Sequence, residues 1–353
     1  MLKRIAGAVV GTCLVVACTV TDGSGTDGGT SSGSSGGSSG GSGSSSGGTT
    51  AAQAAADRAT AYCGKVMTCA PELIQRLYGD QPTCVARWTS EYTNALAAPS
   101  TGVTPATDEA CTAAYAGWAC NDFLDTHNIP QACQQVMGAV ATGAACGFAG
   151  QCKTGFCATA PQTQCGVCAT APAVGDSCAT QGCGQGLVCT TDTKTCALLG
   201  EQGATCGTGA PCGNLFYCVG SNNSTGVTGT CQQALTQSGA TCDPTSQTGP
   251  GCDHTQFQTC NAMTKQCATM TLGATGQPCG TNDVSSQTVF CSGFGTCTGA
   301  TAGVPGMCVA TAAEGAACDT ANGPGCMDLS VCVAGSGGGT AGTCALPDAS
   351  TCM

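Results

Sequence analysis

The sequence predicts a disulfide-rich, multi-module chain: a small disulfide-stapled all-α domain followed by tandem small, loop-rich cysteine modules with minor β. Three observations predict it. Of 353 residues, 34 are Cys and 55 are Gly, while charged residues reach 8% and aromatics 4%. A Cys content near one in ten marks a disulfide scaffold, and so few aromatics cannot fill large cores. Helical periodicity is confined to one stretch, residues 51–140. Beyond it a Gly-x-x-Cys signature opens each of six successive cysteine units.

The first fifty residues read as address and tether. Met1-Leu2-Lys3-Arg4 precede an apolar run from Ile5 to Ala17, which is too short for a permanent span and fits an export signal over 1–17. The run ends Val15-Val16-Ala17-Cys18, which resembles the lipobox of bacterial lipoproteins, with Val15 where leucine is commoner. That resemblance implies acylation of Cys18 and anchoring by several acyl chains, enough for stable attachment. Thr19 stands where inner-membrane retention has Asp, which by the same resemblance implies the outer membrane or cell surface. Removing Cys13 with the signal and reserving Cys18 for lipid leaves an even 32 cysteines to pair. The remainder of residues 18–50 is almost wholly Gly, Ser and Thr, has nothing to bury and predicts a disordered tether. About 30 such residues span roughly 30 Å on average and about 100 Å when stretched. Gly33-Ser34-Ser35-Gly36-Gly37 matches the hydrolase elbow pattern by chance, because neither a strand nor a helix flanks it.

Residues 51–140 predict a helical domain. Ala52 to Cys69 is Ala-rich and broken only by Gly64. Pro71 starts a second helix that Gly79 ends, with Leu73 and Leu77 on one stripe. Cys84, Trp88 and Tyr92 recur every four residues in a third. After a loop over 97–107, Asp108 is expected to cap a fourth helix carrying Cys111, Tyr115 and Trp118. Pro130 opens a short fifth piece with Cys133. Six cysteines (Cys63, Cys69, Cys84, Cys111, Cys120 and Cys133) allow three disulfides in fifteen arrangements.

The modules follow over 141–353, as 141–172, 173–200, 201–236, 237–273, 274–312 and 313–353. Each Gly-x-x-Cys glycine (Gly143, Gly175, Gly203, Gly239, Gly276, Gly315) predicts a tight turn. The first module holds Cys146, Cys152, Cys157, Cys165 and Cys168; the second Cys178, Cys183, Cys189 and Cys196; the third Cys206, Cys212, Cys218 and Cys231. The fourth holds Cys242, Cys252, Cys260 and Cys267; the fifth Cys279, Cys291, Cys297 and Cys308; the sixth Cys318, Cys326, Cys332 and Cys344, followed by Cys352. One apolar residue precedes each third cysteine (Phe156, Leu187, Phe216, Phe257, Phe294, Leu329) and is expected to plug its own unit. Two disulfides per unit replace the core that such short units lack. Modules touching only their neighbours would make an elongated rod. On Gly and Cys spacing alone, residues 143–352 resemble the four-cysteine modules of Dickkopf-like and EGF-like proteins. They also resemble cysteine-rich lipoproteins of the myxobacterial type. The resemblance implies a module type and neither a partner nor an activity.

The chemistry of enzymes is thin. Cys165-Gly166-Val167-Cys168 matches a CxxC redox motif but lies between Gln164 and an Ala/Pro linker, without the helix start that activates such thiols. Structural pairing is the expectation, with a link between the surplus Cys and Cys352, or to a neighbouring unit, as one outcome. His127 beside Asp125 and His254 beside Asp253 are lone imidazoles, expected to be structural. Cys-x-Cys and Cys-Cys pairs, which would share metals, do not occur, and a single CxxC falls short of a zinc site. Asp243, Asp253, Asp283, Asp319 and Asp328 have no calcium-loop spacing. A net charge of −11 excludes a nucleic-acid footprint. The expectation is a surface-anchored envelope lipoprotein with a structural or protein/glycan-interaction role, without cofactor, metal or catalysis. A ligand or glycan receptor seated around Trp88 and Trp118 is the alternative, and a disulfide oxidoreductase at Cys165/Cys168 the remote one.

Overall fold

The computed structural model describes residues 49–352 except 161–162, 223, 282–287, 302–303, 321–322, 336–338 and 347–348. The export signal, Cys18, the tether to residue 48 and Asp283 lie outside the described residues.

Five helices come first. Helix α1 (Ala51–Cys69) starts where the Thr50 hydroxyl accepts from the Gln53 N–H. Helix α2 (Pro71–Leu73) widens into a π turn over Ile74–Tyr78, closed by Gly79 at φ +83°. Helix α3 (Gln81–Ala97) is capped by Asp80, whose carboxylate accepts from the Thr83 N–H. Helix α4 (Pro105–Ala114) begins earlier than expected. Thr104 caps it, with a reciprocal bond from the Thr104 N–H to Thr107, while Asp108 lies one turn inside and buried. Pro105 at the first helical position fixes that start, since its missing N–H is one the helix leaves unpaired anyway. The helix also ends sooner: Tyr115–Gly117 is a 3₁₀ turn and Trp118 follows it. Helix α5 (Cys120–Asp125) was not legible as a helix, being six residues without a capping side chain.

Packing follows the aromatic stripes. The buried faces of α1, α3 and α4 meet around Trp88, Tyr92 and Tyr115. Cys63–Cys84 staples α1 to α3, Cys69–Cys120 ties the end of α1 to α5, and Cys111–Cys133 holds α4 to the turn at Gln131–Cys133.

With Cys165 and Cys352 set aside, the modules obey one wiring rule, which spacing had left open: first cysteine to third, second to fourth. It runs through Cys146–Cys157 with Cys152–Cys168, Cys178–Cys189 with Cys183–Cys196, and Cys206–Cys218 with Cys212–Cys231. It continues through Cys242–Cys260 with Cys252–Cys267, Cys279–Cys297 with Cys291–Cys308, and Cys318–Cys332 with Cys326–Cys344. The β content is one short sheet per module, antiparallel except where Thr271–Gly273 pairs in parallel with the fifth module's Thr288–Cys291; in the sixth, Ala341–Ala345 lies between Ala317–Asp319 and Val331–Ala334. All six signature glycines have φ between +75° and +89°. Each donates its N–H to the carbonyl of its module's last patterned cysteine (Cys168 in the first module) at 2.7–2.8 Å, as Gly203 does to Cys231. The left-handed turn thus seats the start of each unit on its own last disulfide. Linkers are clamped too, by parallel bridges from a residue ahead of the signature to the second cysteine, as in Val140↔Cys152 and Leu235↔Cys252.

The rod expectation is overturned. Every module is bonded to the helical domain. In the first, Gly150 accepts from the Gly102 N–H and the Gln151 amide donates to the Pro99 carbonyl. In the second, the Gln185 amide donates to the Cys133 carbonyl; in the third, Asn214 donates to Asp125 and to the Leu124 carbonyl. Gly213 allows that last approach, because a Cβ there would lie 2.0 Å from the Asp125 carboxylate. Gln256 of the fourth module donates to the Cys69 carbonyl. In the fifth, the Gly293 and Phe294 N–H groups donate to the Gln75 and Arg76 carbonyls in the π turn. Arg87 reaches the sixth, donating to the Asp328 carbonyl and Ser330 and pairing with Glu314. Cys165–Cys352 then joins the first module to the chain's end. The modules therefore form a covalently closed ring around the helical domain.

The plug expectation needs the same correction. Module interiors are stacked disulfides, with Cys152, Cys206 and Cys252 fully buried. Leu187 packs against its own module's cysteines, but Leu329 packs on the helical core. A unit held by two disulfides has little interior left for a large side chain, so such residues find cover on the helices.

Candidate functional site

Where ring and helices meet, the structure leaves a cavity of about 600 Å³. One wall is helical: Arg58 and Tyr62 of α1, Trp88 and Tyr92 of α3, Asp108 of α4, and Tyr115 and Trp118 beyond it. The other is the ring's inner side, with Phe156, Leu187, Phe294 and Leu329 from four different modules. The residues read as unit plugs are thus partly the lining of a shared space.

The aromatic wall is a continuous ring cluster. Tyr62 lies 4.4 Å from Trp88 and 6.1 Å from Tyr115 between centroids, Trp88 lies 5.4 Å from Tyr92, and Tyr115 stacks on Trp118 at 6.2 Å. Both indole N–H groups are satisfied inside the protein: Trp88 donates to the Tyr78 hydroxyl at 2.9 Å, and Trp118 to the His127 carbonyl at 3.0 Å. The tryptophans therefore carry core packing, as expected, while also lining the cavity.

Among these rings sits one ion pair. The Arg58 guanidinium is paired with Asp108 and lies 4.3 Å from the Tyr92 ring centroid, a cation–π arrangement. Burial works against the Arg58 charge, but Tyr92, Tyr115 and Asp108 outweigh it and hold the guanidinium more firmly protonated than usual. Burial pushes the Asp108 carboxyl up, and Arg58 opposes that shift. Arg58 Nε and Asp108 Oδ2 are both buried without a hydrogen-bond partner among the described residues.

The remaining candidates have structural positions. Cys165 is bonded to Cys352 and Cys168 to Cys152, so the CxxC pair does not close on itself. Cysteine triplets such as Cys242, Cys252 and Cys267 cluster tightly enough to suggest a metal, but each sulfur is in a disulfide and offers no thiolate. His127 faces Glu201 of the third module at 3.7 Å, while Asp125 accepts from Asn214 instead of orienting the imidazole. Burial lowers the His254 pKa, Arg76 adds to that effect, and Asp253 opposes it. Asp243 accepts from Thr245, Gln247 and Thr248 of its own turn, and the bonds from Thr248 and Thr245 pull its carboxyl down. Asp328 lies buried against Tyr78, whose hydroxyl links it to Trp88.

No helix among the described residues is long and apolar enough to cross a membrane. Spacing hinted at neither the cavity nor the Arg58–Asp108 pair; a lone Arg and a lone Asp on separate helices were the only trace. Compared with known proteins, the chain matches no family model, no curated protein and no solved structure.

Proposed function

We propose that this chain is a lipid-anchored protein of the bacterial outer membrane or cell surface whose work is interaction rather than catalysis. Cys18 carries the lipid, the Gly/Ser segment holds the head clear of the membrane, and the head meets an envelope protein or glycan. The observation that carries the reading is the covalent closure of the head. Every cysteine of the described residues is in a disulfide, a state that persists in oxidising surroundings outside the cytoplasm. Asp125, Asp243 and Asp328 are engaged in module contacts and turns. Cys18→Ala tests the anchoring: the variant should leave the membrane fraction for the soluble one. Fractionation like that of the parent chain would refute it.

A second reading, a receptor for a small ligand or glycan, is favoured by the cavity against Trp88 and Trp118. Small-molecule sites are concave, mostly apolar and of this size, with a few convergent polar groups.

A further inference from the structure

We propose that Cys165–Cys352 is a redox-released latch: reduced by a protein dithiol, it frees the two ends of the module ring and opens the cavity they cover. The switch goes beyond the anchoring and receptor readings and does not depend on what the head binds. Position sets this bond apart. The first module keeps Cys146–Cys157 and Cys152–Cys168 without it, and the sixth keeps Cys318–Cys332 and Cys326–Cys344. Both modules wall the cavity, through Phe156 and Gln164 at one end of the ring and Leu329 and Val331 at the other. Opening the bond therefore leaves both modules stapled and removes the disulfide that joins them.

A disulfide persists against a reductant when its two thiols stay close after opening, because neighbouring thiols reclose. Inside a module they are held twice. The third and last patterned cysteines face each other across paired strands in all six units, as Cys189 faces Cys196 and Cys332 faces Cys344. The unit's other disulfide crosses the same small sheet. The helical disulfides are held by the buried core around them. Cys165 instead stands just ahead of the strand Gly166–Cys168, and Cys352 ends the 3₁₀ turn Ala349–Cys352. That turn rests on a small apolar seat, where Ala349 packs with Phe148 and Ala98. A Cβ on Gly147 would lie 2.8 Å from the Ala349 Cα, so turn and backbone touch there. The Gln164 amide adds a bond to the Leu346 carbonyl at 3.3 Å. Such a seat holds two thiols less firmly than a strand pair crossed by a second disulfide.

Access favours attack at Cys165. It is half-buried, and its sulfur lies 3.8 Å from the hydroxyl of the exposed Thr351, whereas Cys352 is buried. A thiolate of the reductant attacks the Cys165 sulfur, the Cys165–Cys352 bond breaks, and Cys352 leaves as a thiolate that takes a proton from water. The reductant's second thiolate then attacks its own sulfur in the mixed disulfide, and Cys165 leaves and is protonated in turn. Two electrons pass to the chain, and the reductant ends as a disulfide.

The test uses the full oxidised chain in graded dithiothreitol, alkylated and mapped by peptide mass. Cys165 and Cys352 should reach half alkylation at a dithiothreitol concentration at least about tenfold below that of any other pair. Over the same range, acrylamide quenching of tryptophan fluorescence and cleavage between Cys168 and Cys178 by a broad-specificity protease should rise, and both should revert on reoxidation. The variant Cys165→Ser/Cys352→Ser should show the open behaviour without reductant and ignore dithiothreitol in that range. Ala349→Glu keeps both cysteines but unseats the turn, so it should lower the half-reduction concentration several-fold; it keeps the test open if the double variant does not fold. Another disulfide opening as early, alkylation of Cys152 through exchange within the first module, or reduction that leaves quenching and cleavage unchanged would overturn the inference. So would an Ala349→Glu chain that is reduced at the parent's concentration.

Discussion

Cys165–Cys352 is the one disulfide that joins two modules, and breaking it asks how much the closed ring matters. Its ends are 187 residues apart in sequence. In the chain-entropy model a loop of that length restricts the unfolded state by about 5 kcal/mol at room temperature. The other module disulfides short-circuit much of the path, and the shortest covalent route is roughly 100 residues, which still corresponds to about 4.7 kcal/mol because the dependence is logarithmic. The variant Cys165→Ser/Cys352→Ser should therefore fold, keep every within-module pair, and lose up to about 5 kcal/mol. At about 2 °C per kcal/mol for a chain of this size, Tm falls by about 10 °C. Scanning calorimetry without reductant reads the shift, and intact mass after alkylation confirms that no thiol is free in either protein. The noncovalent bonds from each module to the helices remain, so limited proteolysis should release the first and last modules before the middle ones. A Tm within about 2 °C of the parent, or free thiols at Cys165 and Cys352 in the native chain, would refute the closed ring.

Two further outcomes follow from the modules and their docking. Gly203→Ala places a Cβ in open space but at φ +85°, so its cost is conformational, about 1–2 kcal/mol, whereas Gly182→Ala, also in open space but without positive φ, should change little; paired denaturation curves separate them. Asp328 has its pKa raised by burial, against the opposing bonds from Tyr78 and Leu329 and the charge of Arg87. A carboxyl raised in the folded state contributes stability present below its unfolded value near 3.8 and lost as pH rises through its folded value. Acidification from about pH 7 toward about pH 4 should therefore raise the Tm of the parent relative to Asp328→Asn. A parent Tm that stays level or falls relative to Asp328→Asn in acid would show that Asp328 is not buried as described.

Legibility tracked how local each signal was. Helix α1 and the stripe of Trp88 and Tyr92 were readable because their periodicity is complete within a few turns. The six glycines were readable because a residue without Cβ, repeated at one offset from Cys, marks a backbone conformation that side chains disfavour. Thr104 was missed as a cap because Asp108 offers the same side-chain chemistry four residues later; only burial of Asp108 against Arg58 tells them apart. Leu329 and Phe294 were read as plugs because sequence shows that a residue is apolar, not which surface covers it.

The order of residues was enough to establish an oxidised, cysteine-stapled chain, its helical start, its six modules and two cysteines left over, and to raise the expectation of export. These follow from composition, spacing and parity, each of which can be counted along a line. Pairing the surplus cysteines required the fold, since identical thiols 187 residues apart carry no mark of partnership. The ring's docking was equally invisible for a physical reason. Its acceptors include the carbonyls of Pro99, Leu124, Cys133, Cys69, Gln75 and Arg76, and a backbone carbonyl is the same in every residue. The wrapping of modules around helices, and the cavity enclosed between them, therefore became visible only once the backbone had a path in space.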